Sequence, residues 1–240
     1  MIEYRKIKWR DNVIKEKKRG NLIIISGPTC AGKDTVIKEL LKKRENTVCP
    51  ISYTSRKIRK GEVNGVDYYF ITREEFERKI ENNDFLEYAK VRYGEYFGTP
   101  KKELEELLSN GKDVILEIDV QGASQVKKLF PETILIFILA PSMEELKRRI
   151  KQRGAEKNIE EVIDRFKTAY KEIQKIKKYN YVVVNDEIEK AVQKIEAILI
   201  SEKCRVDRIE ELYVQNEEEF MHELLMDEYF ENKEKKITDI

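Results

Sequence analysis

"NLIIISGPTCAGKDTVIKELLKKR", residues 21–44, decides the fold. Leu22–Ile25 form a continuous apolar run that closes on Gly27, which reads as a parallel strand buried on both faces and feeding a loop. Val36, Ile37, Leu40 and Leu41 then recur at helical spacing. Between strand and helix, Gly27, Gly32 and Lys33 keep the G-x-x-x-x-G-K spacing of a phosphate-binding loop. Glycine lets the backbone curl closely around phosphate oxygens, and lysine follows the terminal phosphates as charge moves. The loop N–H groups and the helix N-terminus can therefore converge on one anion. The next position, where a hydroxyl normally meets magnesium, holds Asp34. A carboxylate about 4 Å from a phosphate charge costs roughly 4 kcal/mol at an effective dielectric near 20. Two readings follow: a magnesium ion bridges Asp34 to phosphate with Thr35 adding a hydroxyl, or Asp34 points away and caps the helix.

Downstream, "KDVILEIDVQG" and "ETILIFIL" are two more apolar runs separated by the helical "ASQVKKLF", and "YNYVVVND" follows two charged helices. Strands alternating with helices predict an α/β fold, a largely parallel sheet with helices on both faces. Helix "EIEKAVQKIEAILI" closes the core with Ala191, Ile195, Ile198 and Leu199 inward. Residues 51–100 break the rhythm: Asn64-Gly65 signals a hairpin, "VDYYFI" an exposed strand and "REEFERKIENNDF" a short helix. This stretch reads as a substrate-binding insert. Residues 142–178 read as two charged helices joined at Arg153-Gly154 and bearing Lys147, Arg148, Arg149, Lys151, Arg153 and Arg165. A mobile lid and a plain solvated pair share that composition.

At 240 residues the chain suits one large domain or a core with inserted subdomains. A net charge of +1 argues against a surface tuned to nucleic acid or anionic lipid, so an anion site must be local. Cys30, Cys49 and Cys204 lack C-x-x-C spacing and His222 is the lone histidine, which excludes a zinc site built from them and suggests a reducing compartment. No apolar run approaches the roughly 20 residues of a membrane span, and the N-terminus lacks a signal-peptide core. The expectation is a cytoplasmic protein. Residues 1–20 carry eight basic groups against three acids and read as a basic extension, solvated or packed by Ile2, Tyr4, Ile7 and Trp9. Residues 202–240 carry thirteen acids against six bases, and Phe220, Leu224 and Leu225 suggest an amphipathic helix. The opposite charges of the two ends suggest that they pair.

A second motif, "TSRKIRKGEVNGVDYYFI", spans Thr54–Ile71. Arg56 and Arg59 can grip one phosphate with forked donors while Tyr68 adds a phenol hydroxyl; a surface hairpin with ordinary charges is the bland alternative. Thr54, Ser55, Arg56, Arg59, Glu62, Gly65, Tyr68 and Phe70 satisfy every fixed position of the guanylate kinase signature, and here the chain resembles that family. The resemblance continues through "DFLEYA", "YFGTP", "ILEIDVQGA", "PSMEELKRRIKQRG" and "VVVND", covering about Asn21 to Ser201 and leaving the two ends outside.

The resemblance implies a P-loop core (21–50, 101–141 and 179–201), a GMP-binding insert (51–100) and a helical lid (142–178), with ATP phosphorylating GMP or dGMP. It places ATP on Gly27, Pro28, Thr29, Cys30, Ala31, Gly32, Lys33, Asp34 and Thr35, with Asn185 beside the adenine. Ser52 and Glu87 match residues that read the guanine edge; Arg56, Arg59 and Tyr68 match the clamp on its phosphate; Thr99 matches a hydroxyl near the nucleotide. Glu117 and Asp119 match acids facing hydrated magnesium and the guanine side, so Asp34, Thr35 and Glu117 are the candidate magnesium residues. Arg149, Arg153 and Arg165 match lid arginines that act with Lys33 on the transferring phosphate. Nucleotides are the expected partners, with no nucleic acid and no membrane; the oligomeric state is not legible.

Four residues depart from the pattern. Cys30 replaces a usual glycine and is tolerated if its φ is negative; Asp34 replaces serine or glycine, Glu117 replaces aspartate, and Phe97 replaces a second tyrosine. Phe97 removes a hydrogen bond to phosphate of the kind worth about 1.5–3 kcal/mol, which predicts weaker GMP binding. Two other functions compete at this stage: a guanylate-kinase-like protein-binding module without turnover, and a P-loop kinase for another phosphorylated acceptor.

Overall fold

The computed structural model describes residues 14–16, 19–90, 94–153 and 159–212. Ile2, Tyr4, Ile7 and Trp9 of the basic extension, and Phe220, Leu224 and Leu225 of the acidic one, lie outside them. In chain order the first half comprises β1 (Ile14–Glu16), β2 (Leu22–Ser26), α1 (Lys33–Lys43), β3 (Thr47–Val48), β4 (Tyr53–Thr54), β5 (Tyr69–Phe70), α2 (Arg73–Glu81), β6 (Phe85–Lys90), β7 (Tyr96–Pro100) and α3 (Lys101–Ser109). The second half comprises β8 (Asp113–Glu117), α4 (Val120–Leu129), β9 (Ile134–Leu139), α5 (Met143–Arg153), α6 (Ile159–Ile173), β10 (Tyr181–Val184), α7 (Ile188–Lys203) and β11 (Ile209–Leu212).

Five strands form one all-parallel sheet in the order β10-β9-β2-β8-β3. Their apolar runs are continuous because both faces are covered. Leu22, Ile24, Val114, Leu116 and Leu135 share one buried cluster with Leu104 and Leu108 of α3, Ala123 and Val126 of α4, and Leu86 of β6. The alternating positions Ile23, Ile25 and Ile115 have zero exposure and face the other way. Val36, Ile37 and Leu40 of α1 are buried as expected, while Leu41 is half-buried. In α7, Ala191, Ile195 and Leu199 are buried and Ile198 is half-buried; Val192, which the spacing did not single out, is fully buried.

After β2 the chain passes to β3 and returns through β8 on one side of β2, then continues through β9 and β10 on the other. In open parallel sheets such a reversal leaves a crevice at the carboxyl ends of the strands, where ligands bind. The phosphate loop lies at that place.

Residues 51–100 form a separate mixed sheet in the order β5-β4-β7-β6. α2 is fixed at its start by a capping box between Thr72 and Glu75. Its fully buried Phe76 stacks on Phe85 at 4.4 Å and on Tyr96 at 5.1 Å. The expected Asn64-Gly65 hairpin is not formed. β5 is only two residues long, half-buried, and pairs with β4 in parallel. Asn64 instead accepts the Phe70 N–H through its side chain at 2.8 Å, and the Gly65 N–H bonds the Tyr68 carbonyl at 2.8 Å. Asx chemistry closes a wide turn here where a two-residue hairpin needs an antiparallel partner.

The chain divides into two units, of which the larger is Lys18–Ile198 and the smaller joins the two ends. In the smaller unit β1 pairs antiparallel with β11, with Ile14 opposite Leu212 and Lys15 opposite Glu211. The ends thus meet through a backbone ladder. Glu202 of the same unit is buried, with Arg208 Nη2 at 3.3 Å and Arg205 Nη1 at 3.7 Å.

Candidate active site

The loop between β2 and α1 closes on itself through the Ala31 N–H to the Pro28 carbonyl at 3.1 Å. Gly32 stands at the N-cap of α1 with φ 90°, and a Cβ there would lie 2.4 Å from Asn185 Nδ2. Cys30 also has positive φ, at 66°, which corrects the expectation of a negative angle. An L side chain in that region is strained by roughly 1–2 kcal/mol, the reason glycine suits it. Cys30 packs against a buried cluster of Leu146 and Ile150 of α5 and Ala169 of α6, burial that offsets part of the strain.

Lys33 Nζ folds over the loop to the Gly27 carbonyl at 3.0 Å and lies 3.9 Å from Glu117 Oε1 at the end of β8. The cap position is Gly32, so the reading of Asp34 as the cap is corrected: Asp34 is the second helical residue, exposed, with Thr35 exposed beside it. A carboxylate in the first turn is stabilised by the helix dipole without capping. Asn185, buried at the end of β10, donates through Nδ2 to the Ala31 carbonyl at 2.8 Å. Arg149 reaches the same carbonyl at 3.4 Å and the Asn185 carbonyl at 3.5 Å. Glu145 orients it, accepting from Arg149 Nε at 2.7 Å and from Arg148 at 2.6 and 2.7 Å. These guanidinium bonds, Arg148's first, hold the Glu145 carboxyl down at about 2.

Beside the loop a cleft of about 250 Å3 opens between β8 and the second sheet, lined among others by Ser52, Tyr68, Glu87, Phe97, Glu117 and Asp119. Glu87 is buried on β6 and accepts from Thr99 Oγ1 of β7 at 2.7 Å. Burial pushes its carboxyl up to about 7, and the Thr99 hydroxyl opposes that rise. Burial likewise raises the Tyr68 phenol. Asp119 caps α4, accepting from the N–H groups of Gln121 at 2.9 Å and Gly122 at 2.8 Å. A Cβ on Gly122 would come within 2.8 Å of Glu87 Oε2, so the glycine makes room for the carboxylate.

Arg56 is buried, and its fork is engaged by Glu62 at 2.8 and 3.0 Å and by the Lys57 carbonyl at 2.8 Å. Its guanidinium lies 5.5 Å from the ring centres of both Tyr68 and Phe70. Three of five donors are used, which leaves donors for an anion. Arg59 is exposed, and its backbone N–H bonds Glu62 at 2.8 Å.

Ser52, Tyr68, Glu87, Glu117 and Asp119 thus come together in one cleft, with Thr99 behind Glu87. Lys33, Arg149 and Asn185 gather on the loop. Arg165 is half-buried on α6; Arg153 ends α5, and its side chain lies outside what is described. Sequence reasoning missed Glu145, although Arg148 and Arg149 follow it at i+3 and i+4. It missed Glu62 as the partner of Arg56, and Glu172, whose Oε2 is buried without a hydrogen-bond partner among the described residues. Among the described residues no three His, Cys, Asp or Glu form a metal cluster, and no helix is long and apolar enough to cross a membrane.

Comparison with known proteins agrees with this geometry. A family model described as Guanylate kinase matches residues 19–202. Guanylate kinases of Clostridium perfringens strain 13 and Clostridium tetani are 55% and 56% identical, covering 90% and 87% of this chain and 99% of each relative. The crystal structure of guanylate kinase from Anaplasma phagocytophilum, 36% identical, superposes with a TM-score of 0.68 over 90% of this chain and 98% of that one. From its cleft, its loop and these relatives, the chain belongs to the guanylate kinase family.

Proposed function

We propose that this chain transfers the terminal phosphoryl group of ATP to GMP, and to dGMP, giving ADP and the diphosphate. The single observation that carries the reading is Glu117: it lines the acceptor cleft and stands 3.9 Å from Lys33 of the donor loop. Two nucleotides bound to those surfaces meet at that junction. Phosphoryl transfer needs little covalent help and is served by alignment and positive charge at the equatorial oxygens.

In this reading Ser52 and the ionised Glu87 take the guanine edge, with Thr99 orienting Glu87 and Asp119 on the guanine side. Arg56, Arg59 and Tyr68 hold the GMP phosphate, with Glu62 fixing the Arg56 fork. Gly27, Pro28, Thr29, Cys30, Ala31 and Gly32 cradle the ATP phosphates, Asn185 stands by the adenine, and Lys33, Arg149, Arg153 and Arg165 carry the charge. Residues 51–100 serve as the GMP insert and 142–178 as the lid on a core of 21–50, 101–141 and 179–201.

Thr35, Glu117 and Asp34 are hard oxygen donors around the loop and fit Mg2+, which binds through few protein ligands and keeps several waters. When bound, the ion supplies charge neutralisation across the phosphates. Three cysteines, all free, suit the cytoplasm.

Purified chain with ATP and magnesium, given each nucleoside monophosphate in turn, should form ADP only with GMP and dGMP; turnover confined to another acceptor, or none, overturns the reading. In the same assay Asp34→Ser should raise the magnesium concentration at half-maximal rate. An unchanged value removes Asp34 from the metal set.

A further inference from the structure

A second cleft, of about 170 Å3, opens between α4 and the chain that returns from α6 to β10. None of its residues lines the acceptor cleft or belongs to the phosphate loop. Ala123, Leu135 and Tyr179 form its base, and Lys127, Lys128, Lys175 and Lys178 stand around it. The positions that α4 contributes, from Val120 through Ala123 and Ser124 to Lys127 and Lys128, recur at spacings of three and four, so one helix face passes from apolar to basic along the cleft. Both walls are fixed. Ala123 is buried in the cluster that includes Leu135, and Tyr179 packs on the same cluster. Opposite α4, Asn180 clasps β9 twice: its N–H donates to the Leu135 carbonyl at 3.0 Å, and its side-chain oxygen accepts the Leu135 N–H at 2.9 Å. The Tyr179 ring also meets Phe137 edge-on at 4.9 Å. A ligand entering here meets walls already in place and avoids the cost of ordering them.

The charge around the cleft says what the ligand is. Elsewhere Lys42, Lys43 and Lys190 lie 2.7–2.9 Å from a carboxylate. Here Lys127 is held by the Thr133 carbonyl at 2.7 Å, and Lys128, Lys175 and Lys178 have no ion-pair partner among the described residues. α4 ends one residue after Lys128 and α6 two residues before Lys175. Each helix C-terminus presents about half a negative charge, so the two ends offset about one of the four positive charges. The remaining like charges repel one another across the cleft, and an anion relieves that repulsion. The half-buried Ser124 hydroxyl, which has no hydrogen-bond partner among the described residues, can donate to the same anion.

We infer that this cleft is a binding site, apart from both nucleotide surfaces, for a small organic dianion with an apolar body. The lysines take its two acidic groups, and the base of Ala123, Leu135 and Tyr179 takes its ring or chain. The volume, about 170 Å3 against about 250 Å3 for the acceptor cleft, sets the ligand below the size of a nucleotide. A bare inorganic anion leaves the apolar base uncovered, and an uncharged ring leaves the lysines unmatched.

The test titrates the full chain with isophthalate, a benzene ring bearing two carboxylates, and follows backbone amide chemical shifts. Shifts at Ser124, Lys128, Lys178 and Tyr179 should saturate together with a Kd of about 1 mM or tighter, the range open to a ligand of this size. Benzoate, with one charge, should bind roughly fivefold more weakly, and the Lys128→Gln/Lys178→Gln double variant should bind isophthalate about tenfold more weakly than the parent, the scale of one and two exposed ion contacts. Lys101→Gln/Lys102→Gln, which removes two exposed charges from α3, should stay within about twofold of the parent. Ser124→Phe fills the cleft and should abolish the saturating shifts; should it not fold, the Lys128/Lys178 variant and benzoate decide. Shifts confined to the phosphate loop or the acceptor cleft, no saturation, benzoate as tight as isophthalate, or equal weakening by the two lysine pairs overturns the inference.

Discussion

Thr99 Oγ1 donates to Glu87 Oε1 at 2.7 Å, with both side chains buried. The bond favours the ionised carboxylate, and burial disfavours it more strongly, which leaves the group titrating at about 7 where an ordinary glutamate titrates at 4.5. Between those values the folded chain holds a proton that the unfolded chain has released. Stability therefore falls as pH rises from 4.5 to about 7 and is flat above. Glu87→Gln removes this penalty, so the variant should be stabilised at pH 8 by on the order of 3 kcal/mol at most, and by little at pH 4.5. Its KM for GMP should rise, because the amide cannot accept two guanine N–H groups with charge. Urea denaturation at the two pH values checks the first part, and steady-state kinetics checks the second.

The core was legible because its signals are local. Leu22–Ile25 and Ile134–Leu139 are apolar without alternation, which only a strand covered on both faces permits, and glycine spacing placed the loop between strand and helix. The second sheet was less legible. β4 and β5 are two residues each, too short for a period, and their pairing is fixed by chain return through Asn64 and Gly65. In the site, residue types that match phosphate and guanine chemistry could be named from the motif. Their supports could not: Glu62 and Glu145 are charges among many charges, and only their hydrogen bonds to Arg56 and Arg149 distinguish them from solvated ones.

Cys30 at φ 66° predicts a particular order among substitutions. A β-branched residue is the worst occupant of the left-handed region, so Cys30→Val should lose about 2 kcal/mol. Cys30→Gly relieves the strain but gives up chain stiffness and the packing against the Leu146, Ile150 and Ala169 cluster, and should fall within about 1 kcal/mol of the parent. Thermal or urea unfolding of the two variants checks the order; equal stabilities would mean the loop does not hold this angle.

The Arg56–Glu62 pair is a local frame for an anion site. Removing Glu62 leaves a buried guanidinium with fewer partners, and hydrogen bonds to charged groups are worth about 1.5–3 kcal/mol each in such settings. Glu62→Ala should lower stability by about 2 kcal/mol and raise KM for GMP about tenfold or more, with KM for ATP unchanged. By linkage, a given GMP concentration should stabilise the variant less than the parent, by up to about 1.4 kcal/mol for a tenfold loss of affinity; a variant that GMP stabilises as well as the parent does not behave this way.

Gly122 separates site geometry from stability. It lies in the first turn of α4, where an alanine gains roughly 1 kcal/mol of helix propensity over glycine. Its added methyl would meet Glu87 Oε2 at 2.8 Å, the far end of a flexible side chain, so the fold can yield by moving the carboxylate. Because Thr99 holds the other oxygen at 2.7 Å, the displacement turns the carboxylate away from the cleft instead of withdrawing it into solvent. Gly122→Ala should therefore unfold at or above the temperature of the parent while KM for GMP rises about tenfold, the cost of one misdirected hydrogen bond at about 1.4 kcal/mol. Combined with Glu87→Gln the two KM effects should not multiply, since both act on one carboxylate. A fully multiplicative double variant, or a Gly122→Ala chain that loses stability and keeps its KM, would show that the glycine serves the helix packing and not the guanine site.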